Sequence, residues 1–305
     1  MSAAGPTCAR IGSDRWHFQH GPIDLVIGVD ADDVTRERAI AACWDEFQHV
    51  LQGLVGELSD LRRPASNHPA VHGPVAQRML HACAPFADER FITPMAAVAG
   101  AVADHLIAVF KRPGVKRAFI NNGGDIALVL SPGAGYRVGI WSQLKHPGAH
   151  DGKSDPLDST FTVEAHTSVR GVATSGWRGR SFSLGIADSV TILADNAAAA
   201  DAAATLIANA VNCECAGIVR TPADQLKDDT DLGALLVTVD VPPLPVEAIT
   251  IALSRGRAEA ERWRDRGLIY AAALFLQGRV DLILPLAQTA LAPNPAGLLF
   301  EASAA

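Results

Sequence analysis

Residues 115–130 read VKRAFINNGGDIALVL, and this stretch predicts two strands joined by a tight turn. Val115–Ile120 and Ile126–Leu130 are rich in apolar and β-branched residues, as strands are. The turn between them, Asn121-Asn122-Gly123-Gly124-Asp125, contains the Asn-Gly pair that hairpins favour. Turn chemistry accounts for this segment without a ligand. The two glycines would also let a ligand approach main-chain N–H groups.

A helix rich in small residues is predicted on the N-terminal side, over residues 93–110. Thr93 suits the N-cap position and Pro94 the first helical position. The start of such a helix offers unpaired N–H groups and partial positive charge, which suit a phosphate. A tightly packed core helix accounts for the small residues equally well.

A second helix of this kind is predicted from residues 197–211, AAAADAAATLIANAV. Alanine is the strongest helix former, and Asp201 and Thr205, four positions apart, fall on one helix face. A carboxylate and a hydroxyl on successive turns suit a hard cation such as Mg²⁺. The alternative is a capped or solvated helix that carries two incidental oxygens.

The rest of the chain mixes strands and helices without strict alternation, which favours an α+β fold with two lobes in one folded unit. Apolar spacing predicts helices over 33–61, 71–84 and 246–264, a short strand at Arg90–Ile92, and a hairpin over 268–284. We expect a flexible N-terminus over residues 1–14, a single domain over 15–286, and a flexible tail over 287–305.

Composition limits the classes of function. The 305 residues are 49% hydrophobic and 19% charged, with a net charge of −7, so a nucleic-acid partner is not expected. The N-terminus lacks the apolar segment of a signal peptide, and no apolar run is long enough for a membrane span. The odd count of five cysteines favours reduced thiols and a cytoplasmic location.

Common catalytic signatures are absent from the sequence. There is no Walker loop, no G-x-G-x-x-G and no G-x-S-x-G elbow. Thr174-Ser175-Gly176 follows a predicted strand and could hold a ring edge or a phosphate, although an ordinary Ser/Thr turn explains it as well. His146 and His150 lie in a polar loop over 141–159; they could be catalytic, but solvated loop histidines are the better interpretation.

In order, the small-residue helix, NNGGDI, TSG, SVTILA and ADAAAT resemble the ApbE superfamily, whose best-known members are FAD:protein FMN transferases. Three longer segments look closest to an uncharacterised ApbE-related family: GPIDLVI at 21–27, FITPMAAVAGAVAD at 91–104 and GRSFSLGIADSVTILA at 179–194. The resemblance covers roughly residues 15–285, and it rests on the order of the motifs, since each alone is weak.

The resemblance implies an ApbE-like α+β fold whose ligand cleft is formed by loops from both lobes. It implies a small-molecule nucleotide ligand, FAD or FMN, together with Mg²⁺. Asp201 and Thr205 match the family's metal segment. The residues that match its flavin-binding segments are Thr93, Met95, Asn122, Gly123, Gly124, Asp125, Thr174, Ser175 and Gly176.

One departure from the family concerns catalysis. Transferases carry an H-x-x-D-P-x-T-G type segment before the S-V-T strand, and this chain has Arg180–Asp188 there, without the histidine, proline and threonine. Asp188 is then the candidate base or metal ligand, or else a strand-edge residue. Three functions stay open: Mg²⁺-assisted flavin chemistry such as FMN transfer, non-catalytic ligand binding, and a different enzyme on the same scaffold. Apolar alanine-rich helices also favour a homodimer.

Overall fold

The structure is a computed structural model that describes residues 5–140, 159–286 and 301–302. Its helices and antiparallel strands follow one another without regular alternation, which confirms the predicted α+β class. The strands are β1 (Thr7–Arg10), β2 (Arg15–His20), β3 (Ile23–Ala31), β4 (Val115–Asn122), β5 (Asp125–Leu130), β6 (Gly135–Ile140), β7 (Ser159–Glu164), β8 (Gly171–Ser175), β9 (Ser189–Ala194), β10 (Val219–Pro222), β11 (Leu236–Asp240), β12 (Ala271–Leu276), β13 (Arg279–Ile283) and β14 (Glu301–Ala302).

The helices are α1 (Asp33–Gly56), α2 (Leu58–Leu61), α3 (Pro74–Ala87), α4 (Val98–Ile107), α5 (Ala197–Ala210), α6 (Ala223–Leu226) and α7 (Val246–Asp265), with 3₁₀ turns at Ala65–Asn67, Pro94–Ala97 and Ala108–Phe110. The chain divides into two compact units. The first contains residues up to 135 together with 164–173 and 194–202, and the second contains 136–163, 174–193 and the residues from 203 onward.

The first unit is built on an antiparallel sheet. Strand β2 pairs with β1 and β3, β3 pairs with β4, β4 pairs with β5, and β5 pairs with the start of β8. Helix α1 packs on β2 and β3 through its apolar face. The Asp32 carboxylate accepts a hydrogen bond from the Thr35 N–H and so caps α1. Phe18 and Phe47 lie fully buried at this contact, with ring centroids 5.4 Å apart.

The second unit has a buried centre of strand and helix. Strand β12 pairs antiparallel with both β9 and β13, and all six residues of β12 are buried. Helix α7 packs on β12 and β13 and buries Trp263 completely. Strands β10 and β11 form a small separate sheet, and β7 pairs with β14 and lies between it and β6 in another.

Several predicted elements shift. The expected helix over 33–61 breaks at Glu57, whose φ of −113° and ψ of 10° are not helical, so α1 and α2 are separate. The segment Arg90–Ile92 forms no strand; its last residue accepts a hydrogen bond from the Ala65 N–H instead. The predicted flexible N-terminus contains β1, because its backbone pairs with β2. Apart from β14, the predicted flexible tail lies outside the described residues.

Candidate functional site

The glycine turn between β4 and β5 has the predicted tight geometry. Asn122 and Asp125 face each other as the last strand pair, so Gly123 and Gly124 alone form the loop. Their φ angles are 67° and 117°, a region that glycine reaches without steric cost. The Gly124 N–H donates to Asn121 Oδ1 at 2.8 Å. Among the described residues beyond its chain neighbours, no atom lies within 4 Å of a Cβ built on Gly124, so this side of the turn is open to them.

The polar side chains of the turn point into the first unit. Asn122 and Asp125 are only 6% and 8% exposed. Asn122 Nδ2 donates to the Ala99 carbonyl at 3.1 Å and so ties the turn to the first part of α4. Because buried polar groups cost free energy unless they are hydrogen-bonded, this contact fixes the turn against the helix.

Asp201 binds α4 at Gly100, the residue after Ala99. The Gly100 N–H donates to Asp201 Oδ2 at 3.0 Å. Loss of solvent raises the pKa of Asp201 well above its usual range, and the negative charge of Asp125 raises this pKa further. The two carboxylates, from α5 and from the glycine turn, therefore act on each other. A cation placed between them would favour their charged forms.

The metal prediction for Asp201 and Thr205 stays a prediction. Both residues belong to α5, but Asp201 falls in the first unit and Thr205 in the second. Across residues 5–140, 159–286 and 301–302, no three His, Cys, Asp or Glu side chains gather closely enough to hold a metal ion. A cation at Asp201 would therefore need oxygen ligands of other kinds as well, such as phosphate, hydroxyl or carbonyl oxygens.

Thr93 and Met95 do not begin a regular α-helix. Thr93 precedes the 3₁₀ turn Pro94–Ala97, makes no side-chain capping bond and is 2% exposed. Its carbonyl accepts a hydrogen bond from Cys83 Sγ at 3.4 Å. Helix α4 starts only at Val98, and Met95 is half-buried before it. The Gly100 N–H near the start of α4 faces Asp201, so this donor is already occupied.

Thr174, Ser175 and Gly176 belong to the second unit. Thr174 Oγ1 lies 2.9 Å from Thr191 Oγ1, and Ser175 is half-buried at the end of β8. A Cβ built on Gly176 would lie 2.4 Å from the Asp188 carbonyl oxygen. Backbone packing alone therefore explains the glycine. The role of all three residues in flavin binding stays a prediction.

Asp188 is buried, and its carboxylate contacts other groups of the protein. It is 7% exposed, and its Oδ2 accepts a 2.5 Å hydrogen bond from the Gln277 N–H in the β12–β13 turn. Arg178 Nε lies 3.8 Å from the other oxygen, Oδ1. Gln277 has a φ of 46°, and the carboxylate holds its N–H in that conformation. This arrangement favours the strand-edge interpretation of Asp188 over a catalytic base.

Two features were missed by sequence reasoning. The first is a cavity of about 150 Å³ beside α1 and α3, lined by apolar residues together with Glu46, His49, Glu57 and His105. His105 Nε2 lies 3.6 Å from Glu46 Oε2, and burial lowers the pKa of His105. His146 and His150, the histidines singled out from the sequence, lie outside the described residues.

The second missed feature is Asp104, a buried carboxylate in α4. It accepts hydrogen bonds from the Ala197 N–H at 3.1 Å and the Ala198 N–H at 2.8 Å. Burial raises the pKa of Asp104, and these two hydrogen bonds oppose the rise. The signal was present in the sequence, because Gly100–Asp104 and Ala197–Asp201 share the pattern small-Ala-x-Ala-Asp.

Comparison with known proteins finds one matching family and several related proteins. The sequence model of the family described as "AbpE bacteria" matches residues 7–282. A UPF0280 protein from Methanothrix thermoacetophila is 32% identical over 196 residues, which are 59% of this chain and 71% of that protein. A UPF0280 protein from Methanosarcina barkeri is 37% identical over 122 residues, 40% of this chain and 44% of that protein. In this second alignment the chain spans less than half of its relative.

Solved structures of ApbE proteins are more distant in sequence. The ApbE protein from Thermotoga maritima has a TM-score of 0.45 and 12% identity, with 90% of this chain and 96% of that chain covered. A mutant of the flavin transferase ApbE from Vibrio cholerae has a TM-score of 0.43 and 12% identity, with 92% of this chain and 97% of that chain covered.

Among the described residues, no helix has the length and apolar character needed to cross a membrane.

Proposed function

The chain belongs to the family described as "AbpE bacteria", and on this premise we propose that it binds a flavin nucleotide, FAD or FMN, with the help of Mg²⁺. One observation carries the proposal: hydrogen bonds connect the glycine turn, the start of α4 and Asp201. Asn122 of the turn donates to the Ala99 carbonyl, and the neighbouring Gly100 N–H donates to Asp201. The first unit thereby gathers an open glycine turn and a carboxylate, the groups that the ApbE resemblance assigns to flavin and metal.

The chemistry of these groups fits Mg²⁺. Asp201 and Asp125 offer carboxylate oxygens, which this cation prefers, and Thr205 is the expected hydroxyl ligand. Bound Mg²⁺ would supply positive charge that neutralises phosphate oxygens of the nucleotide. Gly123 and Gly124 lack side chains, so a ligand can approach the main chain of the turn closely, while the Gly124 N–H itself stays bound to Asn121 Oδ1. The Gly100 N–H holds one oxygen of Asp201 in place.

Binding without FMN transfer is the better supported form of this function. The segment Arg180–Asp188 lacks the histidine that transferases carry. Its carboxylate, Asp188, is held by the Gln277 N–H and lies beside Arg178. A base must reach the proton that it removes, and this carboxylate is instead engaged within the protein.

A flavin titration tests binding. Purified protein is titrated with FAD and with FMN, with and without Mg²⁺, and flavin fluorescence is followed. We expect saturable binding below about 1 mM that strengthens with Mg²⁺. Asp201→Asn removes the charge but keeps an oxygen for the Gly100 N–H, so this variant should fold and lose the Mg²⁺ dependence. Asp33→Asn, at the exposed start of α1, is the matched control.

Two results would contradict the proposal. Absence of binding to the unaltered protein at millimolar flavin would remove the flavin function. Unchanged Mg²⁺ dependence in Asp201→Asn would remove Asp201 from the metal site. Incubation with FAD and a flavinylation acceptor tests transfer: covalent FMN on the acceptor, with release of AMP, would show that the chain is a transferase after all.

A further inference from the structure

Helices α4 and α5 carry the same five-residue pattern. Gly100-Ala101-Val102-Ala103-Asp104 and Ala197-Ala198-Ala199-Ala200-Asp201 each begin with a small residue and end, four positions later, in aspartate. In both helices this pattern includes residues among the first four, whose main-chain N–H groups have no partner within the helix. In each helix the aspartate therefore lies about one turn after the small residue that begins the pattern.

Each aspartate binds the start of the other helix. Asp201 of α5 accepts from the Gly100 N–H of α4. Asp104 of α4 accepts from the Ala197 and Ala198 N–H groups of α5, one through each carboxylate oxygen. A carboxylate at a helix N-terminus satisfies these donors and meets the positive end of the helix dipole. The capping is thus reciprocal.

Main-chain contact reinforces this arrangement. A Cβ built on Gly100 would lie 2.3 Å from the Ala197 carbonyl oxygen and 2.7 Å from the Ala198 nitrogen. The two helix starts touch through their backbones, so no side chain separates them. Asp104 is 9% exposed, and both of its oxygens are occupied by main-chain donors.

We propose that Asp104 is a positioning residue for Asp201. By holding the first two N–H groups of α5, Asp104 fixes the turn from which Asp201 projects one turn later. Asp201 then reaches the Gly100 N–H and stays oriented toward the glycine turn. The consequence for metal binding rests on the proposed function, whereas the positioning itself does not.

Amide hydrogen exchange in the metal-free protein tests the positioning. Asp104→Asn keeps one oxygen acceptor and loses the other, so exchange at Ala197 and Ala198 should accelerate roughly tenfold or more. If Asp104 positions Asp201, exchange at Gly100 should accelerate too, because the Asp201 carboxylate moves. Asp201→Asn keeps an oxygen acceptor for the Gly100 N–H, so exchange at Ala197 and Ala198, which Asp104 holds, should stay unchanged in that variant.

Faster exchange at Ala197 and Ala198 with an unchanged rate at Gly100 would overturn the positioning role. Asp104→Glu retains the charge and should restore part of the protection at all three amides. If Asp104→Asn does not fold, Asp104→Glu decides the question, because its longer side chain displaces the carboxylate: faster exchange at Ala197 and Ala198 must then again be accompanied by faster exchange at Gly100. Asp30→Asn, which alters a half-exposed carboxylate paired with Arg117, is the control and should change none of these amides.

Mg²⁺ titration by calorimetry separates this inference from the proposed function. If the unaltered protein binds Mg²⁺ with flavin, Asp104→Asn should weaken that binding several-fold although Asp201 is intact. Equal affinity in a folded Asp104→Asn variant would overturn the positioning role. Failure of the unaltered protein to bind would count against the flavin function alone, and the exchange rates would still decide whether Asp104 positions Asp201.

Discussion

Substitution of Gly100 by alanine tests the contact between α4 and α5. In an isolated helix this change is favourable by about 1 kcal/mol, because glycine is a poor helix former. Here the added Cβ would lie 2.3 Å from the Ala197 carbonyl oxygen, 2.5 Å from its carbon and 2.7 Å from the Ala198 nitrogen. All three neighbours are backbone atoms, so no flexible side chain can move aside.

The magnitude follows from these distances. An ordinary contact needs 3.4 Å or more, so the helix starts must separate by about 1 Å. Overpacking of this kind costs about 1–3 kcal/mol. The separation also strains hydrogen bonds to two carboxylates, each worth about 1.5–3 kcal/mol. After subtraction of the helix-propensity gain, we expect Gly100→Ala to lower the free energy of unfolding by about 3 kcal/mol.

Urea unfolding followed by circular dichroism measures this effect. With a slope of about 2–3 kcal/mol per molar urea, the midpoint should fall by about 1 M. Gly53→Ala is the matched control, because a Cβ there meets no other described residue within 4 Å and α1 should gain up to about 1 kcal/mol. If Gly100→Ala were as stable as Gly53→Ala, the backbone contact between α4 and α5 would be refuted.

Two further predictions concern other parts of the chain. Burial and the nearby charge of Arg78 on α3 lower the pKa of His105, while Glu46 on α1 opposes them, so the folded protein binds this proton less readily than the unfolded chain. The contribution of His105 to the free energy of unfolding should be fully present above about pH 6.5 and decline as pH falls toward the folded-state pKa. His105→Gln should flatten this decline when the unfolding temperature is measured against pH. An unaltered pH dependence in the variant would contradict the assignment. Asp188→Ala should destabilise the protein by about 1–3 kcal/mol by leaving the Gln277 N–H without its acceptor, yet leave flavin affinity unchanged in the titration; a loss of affinity in a folded variant would return Asp188 to the site.

Local sequence signals predicted the elements whose geometry depends on few residues. The NNGGD turn was predictable because positive φ at Gly123 and Gly124 is a local property that these residues permit. The α+β class was predictable because strands and helices are mixed along the sequence without strict alternation. The family was predictable because its motifs occur in the expected order. The helix at residues 93–110 was predicted too long, because its first turn is a 3₁₀ turn set by buried packing around Thr93.

The roles of the aspartates were less accessible to sequence reasoning. Asp201 in isolation indicated a metal ligand or a solvated residue, whereas the structure gives it a main-chain partner 101 positions away. Asp104 was not singled out, because the pattern that it shares with Asp201 repeats along the chain but carries no local sign of burial. Such partners depend on tertiary contacts, which spacing along the chain does not encode.

The discontinuous first unit affects the order in which the protein can complete its folding during synthesis. Residues up to 135 include Asp104 and β5, but β8 and the capping amides of Ala197 and Ala198 are translated much later. A nascent or truncated chain that ends near Gly135 leaves the Asp104 carboxylate without these donors and one side of β5 unpaired. The ribosome must therefore release more than half of the chain before this unit can close, and an N-terminal fragment is a poor choice for expression on its own.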